Sequence, residues 1–182
     1  MSGQYAIISA WGGAAFDETR DRFLVWGGGH GDYGGNELYA FNVNTLAWAR
    51  LTNPSNPPAV NAPYAPDGAP GSSHSRNTLQ YVKALDALCI FGFSGYFPDG
   101  STGSSNTDAY DFTAGAWVRK AAVPDGGTSR GFTAVDTDGS VWSHGDGQSG
   151  KLTHFNPTAN TWTSHAVNPW GWFPSGTGSG TA

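Results

Sequence analysis

Apolar residues alternate with polar ones over short stretches, which are separated by clusters of glycine, proline, asparagine and aspartate. Alternation with a period of two residues is typical of half-buried β-strands, and those four residue types mark turns. No stretch keeps a 3.6-residue apolar period between helix-capping residues. The pattern therefore predicts an all-β fold of short strands joined by tight turns.

One unit of eight residues, ending in tryptophan, occurs three times along the chain. Each copy has the pattern of a strand end, a polar turn and the start of the next strand. A short apolar run precedes each copy, and another strand with a charged turn precedes each run. Four strands in a unit that recurs about every 45–50 residues predict the blade of a β-propeller, here with antiparallel strands. The units are residues 41–48, 110–117 and 155–162, and the apolar runs are residues 23–26, 88–91 and 140–142.

The repeats divide the chain into three predicted blades followed by a tail. Two stretches read as insertions, one rich in proline (53–71) and one rich in glycine and serine (94–106). Closed propellers typically have about 4–8 blades, so three blades predict a half or partial ring with open sheet faces. Such a ring is expected to self-associate or to be a truncated piece. The blades span roughly 9–52, 72–122 and 127–168 within a 1–168 domain, and 169–182 is an aromatic stub with a flexible Gly/Ser/Thr tail.

The first repeat resembles a kelch repeat. It has an apolar strand that ends in a glycine pair (23–28), a strand containing tyrosine (37–41) and then Trp48. The resemblance implies a propeller like the central domain of galactose oxidase. The second repeat keeps only Gly92 of the glycine pair, and the third keeps neither glycine. The copper site of galactose oxidase needs a cysteine cross-linked to a tyrosine, whereas Cys89 lies in an apolar strand, so we expect no cofactor and no metal.

Composition supports a folded, aromatic-cored domain. Only 13% of residues are charged and 27 are glycine, but the chain also has 8 Trp, 7 Tyr and 10 Phe. Each large ring buries roughly 150–250 Å², which offsets the shortage of aliphatic residues. These rings therefore predict a packed core rather than a disordered chain.

Charge and hydropathy argue against two classes of partner. The net charge is −5 and there is no run of basic residues, so we expect no nucleic-acid binding. No apolar stretch approaches the roughly 18 residues of a membrane span, and the first residues lack the pattern of a signal peptide. A single cysteine, Cys89, excludes an internal disulfide. The expected location is cytoplasmic or virion-associated.

A His-Gly-Asp triplet occurs twice, as His30 with Asp32 and as His144 with Asp146. Both triplets follow the second strand of a predicted blade, on the face that propellers commonly use for binding, and Tyr33 follows the first of them. A histidine beside an aspartate can bind a metal, transfer protons or contact a polar ligand. The alternative is that Gly-Asp builds the turn while the histidine fills a gap. We take all five residues as candidate ligand-binding residues.

A second matched pair lies at the predicted start of the innermost strands, with His74 and Arg76 in one repeat and Arg130 in the next. Innermost strands line the central channel, so the two arginines are expected near its mouth. Two guanidinium groups suit a carboxylate, a phosphate or a sugar. The alternative is a structural pairing with aspartates of neighbouring blades.

The sequence as a whole predicts a non-enzymatic propeller module that binds a protein or a carbohydrate through its loop-bearing face. Long loops, few charges, exposed aromatic residues and no complete catalytic set favour this function. One alternative is a lyase or hydrolase acting on a sugar or uronate, with His30 or His74 as the base and the two arginines holding the carboxylate. Another is a structural assembly protein of the kind found in virions.

Overall fold

A computed structural model of the protein describes residues 3–9, 12–28, 33–94, 103–124, 131–144 and 151–166. A 3-10 turn covers Lys83–Leu85, and one short α-helix and twelve strands also lie within these residues. They are α1 (Gly3–Ser9), β1 (Gly13–Asp17), β2 (Arg22–Trp26), β3 (Tyr39–Asn42), β4 (Ala47–Arg50), β5 (Leu79–Val82), β6 (Ala87–Ser94), β7 (Gly103–Asp111), β8 (Ala116–Ala122), β9 (Phe132–Val135), β10 (Val141–His144), β11 (Lys151–Asn156) and β12 (Thr161–Ala166).

The twelve strands form three four-stranded antiparallel sheets, each following chain order. We call them blade 1 (β1–β4), blade 2 (β5–β8) and blade 3 (β9–β12). The third and fourth strands of each blade pair through the polar turn that the tryptophan unit predicts. The fold is therefore a partial β-propeller of three blades, and the predicted fold class is confirmed.

Strand pairing places the three tryptophan units at equivalent positions in their blades. The first residue of each unit pairs with an apolar residue of the second strand and with the tryptophan of the fourth strand. A residue of one blade can therefore be matched to residues of the other two by register. The equivalent sets are Phe23, Phe41 and Trp48 in blade 1, Leu88, Tyr110 and Trp117 in blade 2, and Val141, Phe155 and Trp162 in blade 3.

The blades pack face to face through side chains that alternate along the strands. On β6, Leu88 and Ile90 face blade 1, while Cys89 and Phe91 face blade 3. All four side chains are fully buried. Both faces of the middle sheet are covered, which explains why this strand reads as a continuous apolar run rather than an alternating one.

A β-bulge changes which face the end of β6 presents. The pairing register shifts between Phe91 and Phe93, and Gly92 between them has a φ of +71°. Glycine adopts this left-handed conformation without steric cost. As a result, Phe93 points to blade 1, where its ring lies 6.4 Å from Trp26.

The innermost strands β1, β5 and β9 are neighbours in space. The Gly13 amide donates to Ser75 Oγ at 2.6 Å, joining β1 to the segment before β5. The Thr133 amide donates to the Asn77 carbonyl at 3.1 Å, and Gln80 Nε2 donates to the Thr133 carbonyl at 2.9 Å. Successive blades are therefore joined at their inner edges, as a propeller requires.

An ionic network also links blade 1 to blade 2. Asp17, at the end of β1, is fully buried and lies 2.8 Å from Arg22 Nε and 3.2 Å from Arg20 Nη1. Arg20 also donates two hydrogen bonds to Asp86 of blade 2, at 2.7 and 2.6 Å. The hydrogen bonds from Arg20 lower the pKa of Asp86 to about 2.

The sequence pattern did not predict α1. Its seven residues are too few to show a helical period, and helices this short depend on tertiary packing. Ile7 supplies that packing, since it is fully buried against Val25 and Tyr39 on the outer face of blade 1. No helix of the described residues is long and apolar enough to span a membrane.

Pairing also extends into the glycine- and serine-rich stretch that was predicted to be an insertion. β6 continues to Ser94 and β7 begins at Gly103, and Ser104 pairs with Phe93. Ladder pairing with an apolar neighbour outweighs the weak strand preference of serine and asparagine here. The predicted tail, residues 169–182, lies outside the described residues.

Candidate functional site

The structure describes four of the eight candidate residues from the sequence: Tyr33, His74, Arg76 and His144. The other four, His30, Asp32, Arg130 and Asp146, lie outside the described residues. The meeting of Arg76 with Arg130, and the role of the two aspartates, therefore stay predictions.

The glycine pair of blade 1 allows the segment that leads into blade 2 to pack directly against the backbone at the end of β2. Gly27 and Gly28 have φ values of +129° and +132°. A Cβ atom would lie 2.5 Å from Ser75 Oγ if added at Gly27 and 2.6 Å from Ser72 Oγ if added at Gly28. The Gly28 amide donates to the Ser73 carbonyl at 2.8 Å. Larger residues would displace the segment that carries His74.

This approach brings two of the candidate segments together. Ser72 Oγ donates to the Tyr33 carbonyl at 2.9 Å, so the loop with Tyr33 touches the segment with His74. Both side chains are half-buried. Arg76 is exposed with a φ of +39°, and it lies three residues before β5 rather than on the innermost strand itself.

The candidate residues from the sequence did not include Glu37, whose carboxylate is buried beside Tyr33. Glu37 is 3% exposed, and its Oε1 accepts hydrogen bonds from the hydroxyls of Tyr33 and Tyr39. Its Oε2 has no hydrogen-bond partner among the described residues. Burial, and then the Glu37 charge, raise the pKa of Tyr39, while Arg50 acts in the opposite direction. The sequence signal was present, since Glu37 is a charge inside the tyrosine-containing strand pattern.

His144 occupies a position different from the one its triplet suggests. It ends β10 and pairs with Phe132, just as Trp26 ends β2 and pairs with Gly13. His144 is therefore equivalent to Trp26 and not to His30, so the expectation that the two triplets match by blade position is wrong. Its Nδ1 lies 2.7 Å from the Lys151 carbonyl, and its ring lies 5.6 Å from Phe132.

A groove lies between blade 1 and blade 2, partly formed by the proline-rich insertion. It encloses about 300 Å³, which is at the small end of the range for ligand sites. Trp117 and the edge of the largely buried Tyr110 line it, together with exposed Asn53 and Asp67. The remaining lining residues are Asn36, Thr52, Ser55, Gly68, Ala69, Gly115 and Ala116.

Hydrogen bonds fix the proline-rich insertion (53–71) against blade 1. The Asn36 amide group donates to Ser55 Oγ and to the Pro70 carbonyl, both at 2.9 Å. Asp67 Oδ1 accepts from the Ala69 amide at 3.0 Å. These bonds order the backbone of the loop from which Asn53 and Asp67 line the groove. Sequence reasoning could not find this groove, because its two walls are more than forty residues apart in the chain.

A second buried carboxylate lies where the insertion covers blade 2. Asp108 accepts a hydrogen bond from the Tyr64 hydroxyl at 3.1 Å, and Arg119 Nε lies 3.7 Å away. The Arg119 guanidinium also stacks on the Tyr64 ring, 3.7 Å from its centre. Burial raises the pKa of Asp108 to about 6, against the opposing effects of Tyr64 and Arg119.

We expect Asp108 to make the protein less stable as the pH rises from about 4 to about 6. A carboxyl with a raised pKa binds its proton more tightly in the folded state, so the stabilisation is complete below the unfolded pKa of 3.8 and is lost as the pH passes 6. The loss is at most about 3 kcal/mol. Urea unfolding between about pH 4 and pH 7 measures it.

Asp108→Asn should abolish this part of the pH dependence, because the amide is neutral throughout and still accepts from Tyr64. Asp111→Asn, on the same strand and half-buried, controls for the change in net charge. If wild type and Asp108→Asn gave parallel stability curves, the carboxylate would not be desolvated as the structure indicates.

No protein-family model matches the chain, and no curated protein sequence matches it. Solved structures do match, and there are 139 such chains. One is the structure of YjhT, with a TM-score of 0.59 and 16% sequence identity over 88% of this chain and 52% of that chain. The protein therefore spans about half the length of the YjhT chain. At this identity the likeness supports the fold alone.

The described residues contain no group of three or more His, Cys, Asp or Glu side chains arranged to hold a metal ion. The groups that line the groove are an aromatic ring edge and face, two amides, two aliphatic hydroxyls, one carboxylate and backbone polar groups. These groups offer contacts to a ligand that has both an apolar face and hydroxyl groups.

Proposed function

We propose that the protein is a non-enzymatic, kelch-like propeller module that binds carbohydrate in the groove between blade 1 and blade 2. The observation that carries the proposal is that the half-buried Trp117 ring lines a groove of about 300 Å³ together with exposed Asn53 and Asp67. The C–H face of a pyranose ring stacks on aromatic side chains, while its hydroxyls need amide and carboxylate partners at its edge. The close approach at Gly27 and Gly28 supports the kelch-like resemblance.

The carboxylate content of the groove favours binding over hydrolysis. Glycoside hydrolysis ordinarily uses two carboxyl groups, one on each side of the scissile bond. Among the described residues that line the groove, Asp67 is the only carboxylate, and it is exposed at the rim. A rim carboxylate suits a hydrogen bond to a sugar hydroxyl.

An array of neutral and uronate-containing oligosaccharides would test the proposal, followed by titration calorimetry of the best binder. We expect Asn53→Ala and Asp67→Asn each to weaken binding by about 3–10-fold, the effect of one hydrogen bond. Asp67→Asn keeps the Oδ1 acceptor that orders the loop, so the fold should survive. Asn44→Ala, in an exposed turn of blade 1, is the matched control.

Two results would contradict the proposal. One is that no oligosaccharide binds. The other is that binding is unaffected by changes at Asn53 and Asp67 but is lost in His74→Ala or Arg76→Ala. The second result would move the site to the segment before β5 that the sequence favoured.

A further inference from the structure

The outer face of blade 1 leaves large aromatic side chains in solvent. Phe16 and Phe23 are each 44% exposed, and Trp48 is 40% exposed. Together with Phe41 they form a continuous apolar surface, in which Phe16 and Phe23, and likewise Phe41 and Trp48, are 5.2 Å apart. We call this surface, formed by Phe16, Phe23, Phe41 and Trp48, the open face of blade 1.

Strand register shows what normally covers this kind of face. Trp117 and Trp162 are the equivalents of Trp48 in blades 2 and 3. The Trp117 ring packs on Trp26 of blade 1 at 5.7 Å, and the Trp162 ring packs on Phe91 of blade 2, also at 5.7 Å. The tryptophan of each later blade therefore packs on the last core position of the second strand in the blade before it.

Among the described residues, blade 3 carries the complementary face, and none of them packs over it as the next blade would. On blade 3 the position equivalent to Trp26 and Phe91 is His144. Trp142 stacks on His154 at 4.4 Å on the same side of the sheet, and Phe132 there is 48% exposed. We call this surface, formed by Phe132, Trp142, His144 and His154, the open face of blade 3.

The helix α1 does not block the open face of blade 1. Ile7 covers Val25 and Tyr39, which are equivalent by register to Ile90 and Asp108 of blade 2. On blade 2 the insertion covers that same corner through Tyr64. The helix thus takes the place of the insertion, and a groove of about 310 Å³ remains beside it, lined by Ile8, Phe23, Phe41 and Trp48 among others.

We propose that the open face of blade 1 binds the open face of blade 3 of a second copy, and that two such contacts close a six-bladed ring. In each contact Trp48 packs on the partner's His144, continuing the interface that the chain already forms twice internally. A second copy is the occupant we favour because one chain carries both complementary faces. Six blades also fall within the range of about 4–8 for closed propellers.

The first test is the mass in solution, measured by light scattering over a range of protein concentrations. We expect wild type to be a dimer. Trp48→Glu should raise the dimer dissociation constant about 30-fold or more, the effect of losing a central interface residue. Val60→Glu introduces the same charge at an exposed apolar residue of the insertion and should leave the mass unchanged. Circular dichroism checks that both variants fold.

A cross-linking experiment tests the register of the contact. Within the chain, Asn160 Oδ1 accepts from the Ala121 amide at 2.9 Å across the junction of blades 2 and 3. The equivalent positions in the proposed contact are Leu46 and the partner's Ala166. Leu46→Cys combined with Ala166→Cys should give a covalent dimer with a short bismaleimide, and neither single variant should. Cys89 is fully buried and does not compete.

Three results would overturn the inference: a wild-type monomer at every concentration, a dimer that persists in Trp48→Glu, or a double-cysteine dimer that does not cross-link. The last two would point to contact through another surface. Because Trp48 does not line the sugar groove, loss of the dimer and loss of oligosaccharide binding can be measured separately.

Discussion

Trp26→Ala should lower the free energy of unfolding by about 3–5 kcal/mol, the usual loss for a fully buried large aromatic residue. Trp26 is completely buried between blades 1 and 2, where its ring lies 5.7 Å from Trp117 and 6.4 Å from Phe93. Its Nε1 donates to the Asn36 carbonyl at 3.0 Å. Truncation therefore leaves a cavity and also a buried carbonyl without its donor.

Urea unfolding followed by circular dichroism measures this loss. Trp26→Phe keeps most of the ring volume and should lose less, so the series stays informative if the alanine variant does not fold. Val60→Ala, at an exposed residue of the insertion, should change stability by about 0.5 kcal/mol or less. A loss below about 1 kcal/mol for Trp26→Ala would mean that blades 1 and 2 do not pack through this side chain.

The blade architecture could be predicted because the spacing of residues within each hairpin determines how the strands pair. The interval from Phe41 to Trp48 fits one hairpin, and the same interval recurs at Tyr110 and Phe155. Hairpin pairing of neighbouring strands depends on turn chemistry and alternation, both of which are visible along the chain. The sequence could therefore assign the three sheets and the partial ring.

The side-chain contacts between neighbouring blades could not be predicted from local spacing. The groove joins Asn53 and Asp67 to Trp117, and the buried Glu37 acquires its environment from two tyrosines. Such neighbours are set by how sheets stack, which a period of two residues does not reveal. His144 shows the limit most clearly, because its His-Gly-Asp triplet suggested a loop residue whereas pairing places it at the end of the second strand of blade 3.

The ionic network between blades 1 and 2 is the second feature whose loss should strongly lower the free energy of unfolding. Asp17 has no exposed surface, and Arg22, which lies 2.8 Å away, has a side chain only 14% exposed. Asp17 Oδ1 also accepts from the amides of Thr19 and Arg20, at 3.1 and 3.2 Å, and so holds the β1–β2 turn. Arg20 then reaches Asp86 of blade 2. One buried carboxylate therefore orders both the turn and the contact between blades.

Asp17→Ala should accordingly cost about 3–5 kcal/mol, because it leaves a largely buried guanidinium without its counter-charge. The Arg20–Asp86 pair is one-third exposed on each side, so Asp86→Ala should cost less, about 1 kcal/mol. The matched control is Glu18→Ala, since the exposed Glu18–Lys83 pair joins the same two turns at 2.9 Å. Its loss should be within about 0.5 kcal/mol. Urea unfolding of the three variants ranks their losses in the free energy of unfolding. If Asp17→Ala lost no more than Glu18→Ala, the burial of Asp17 would not set the strength of the ionic network between blades 1 and 2.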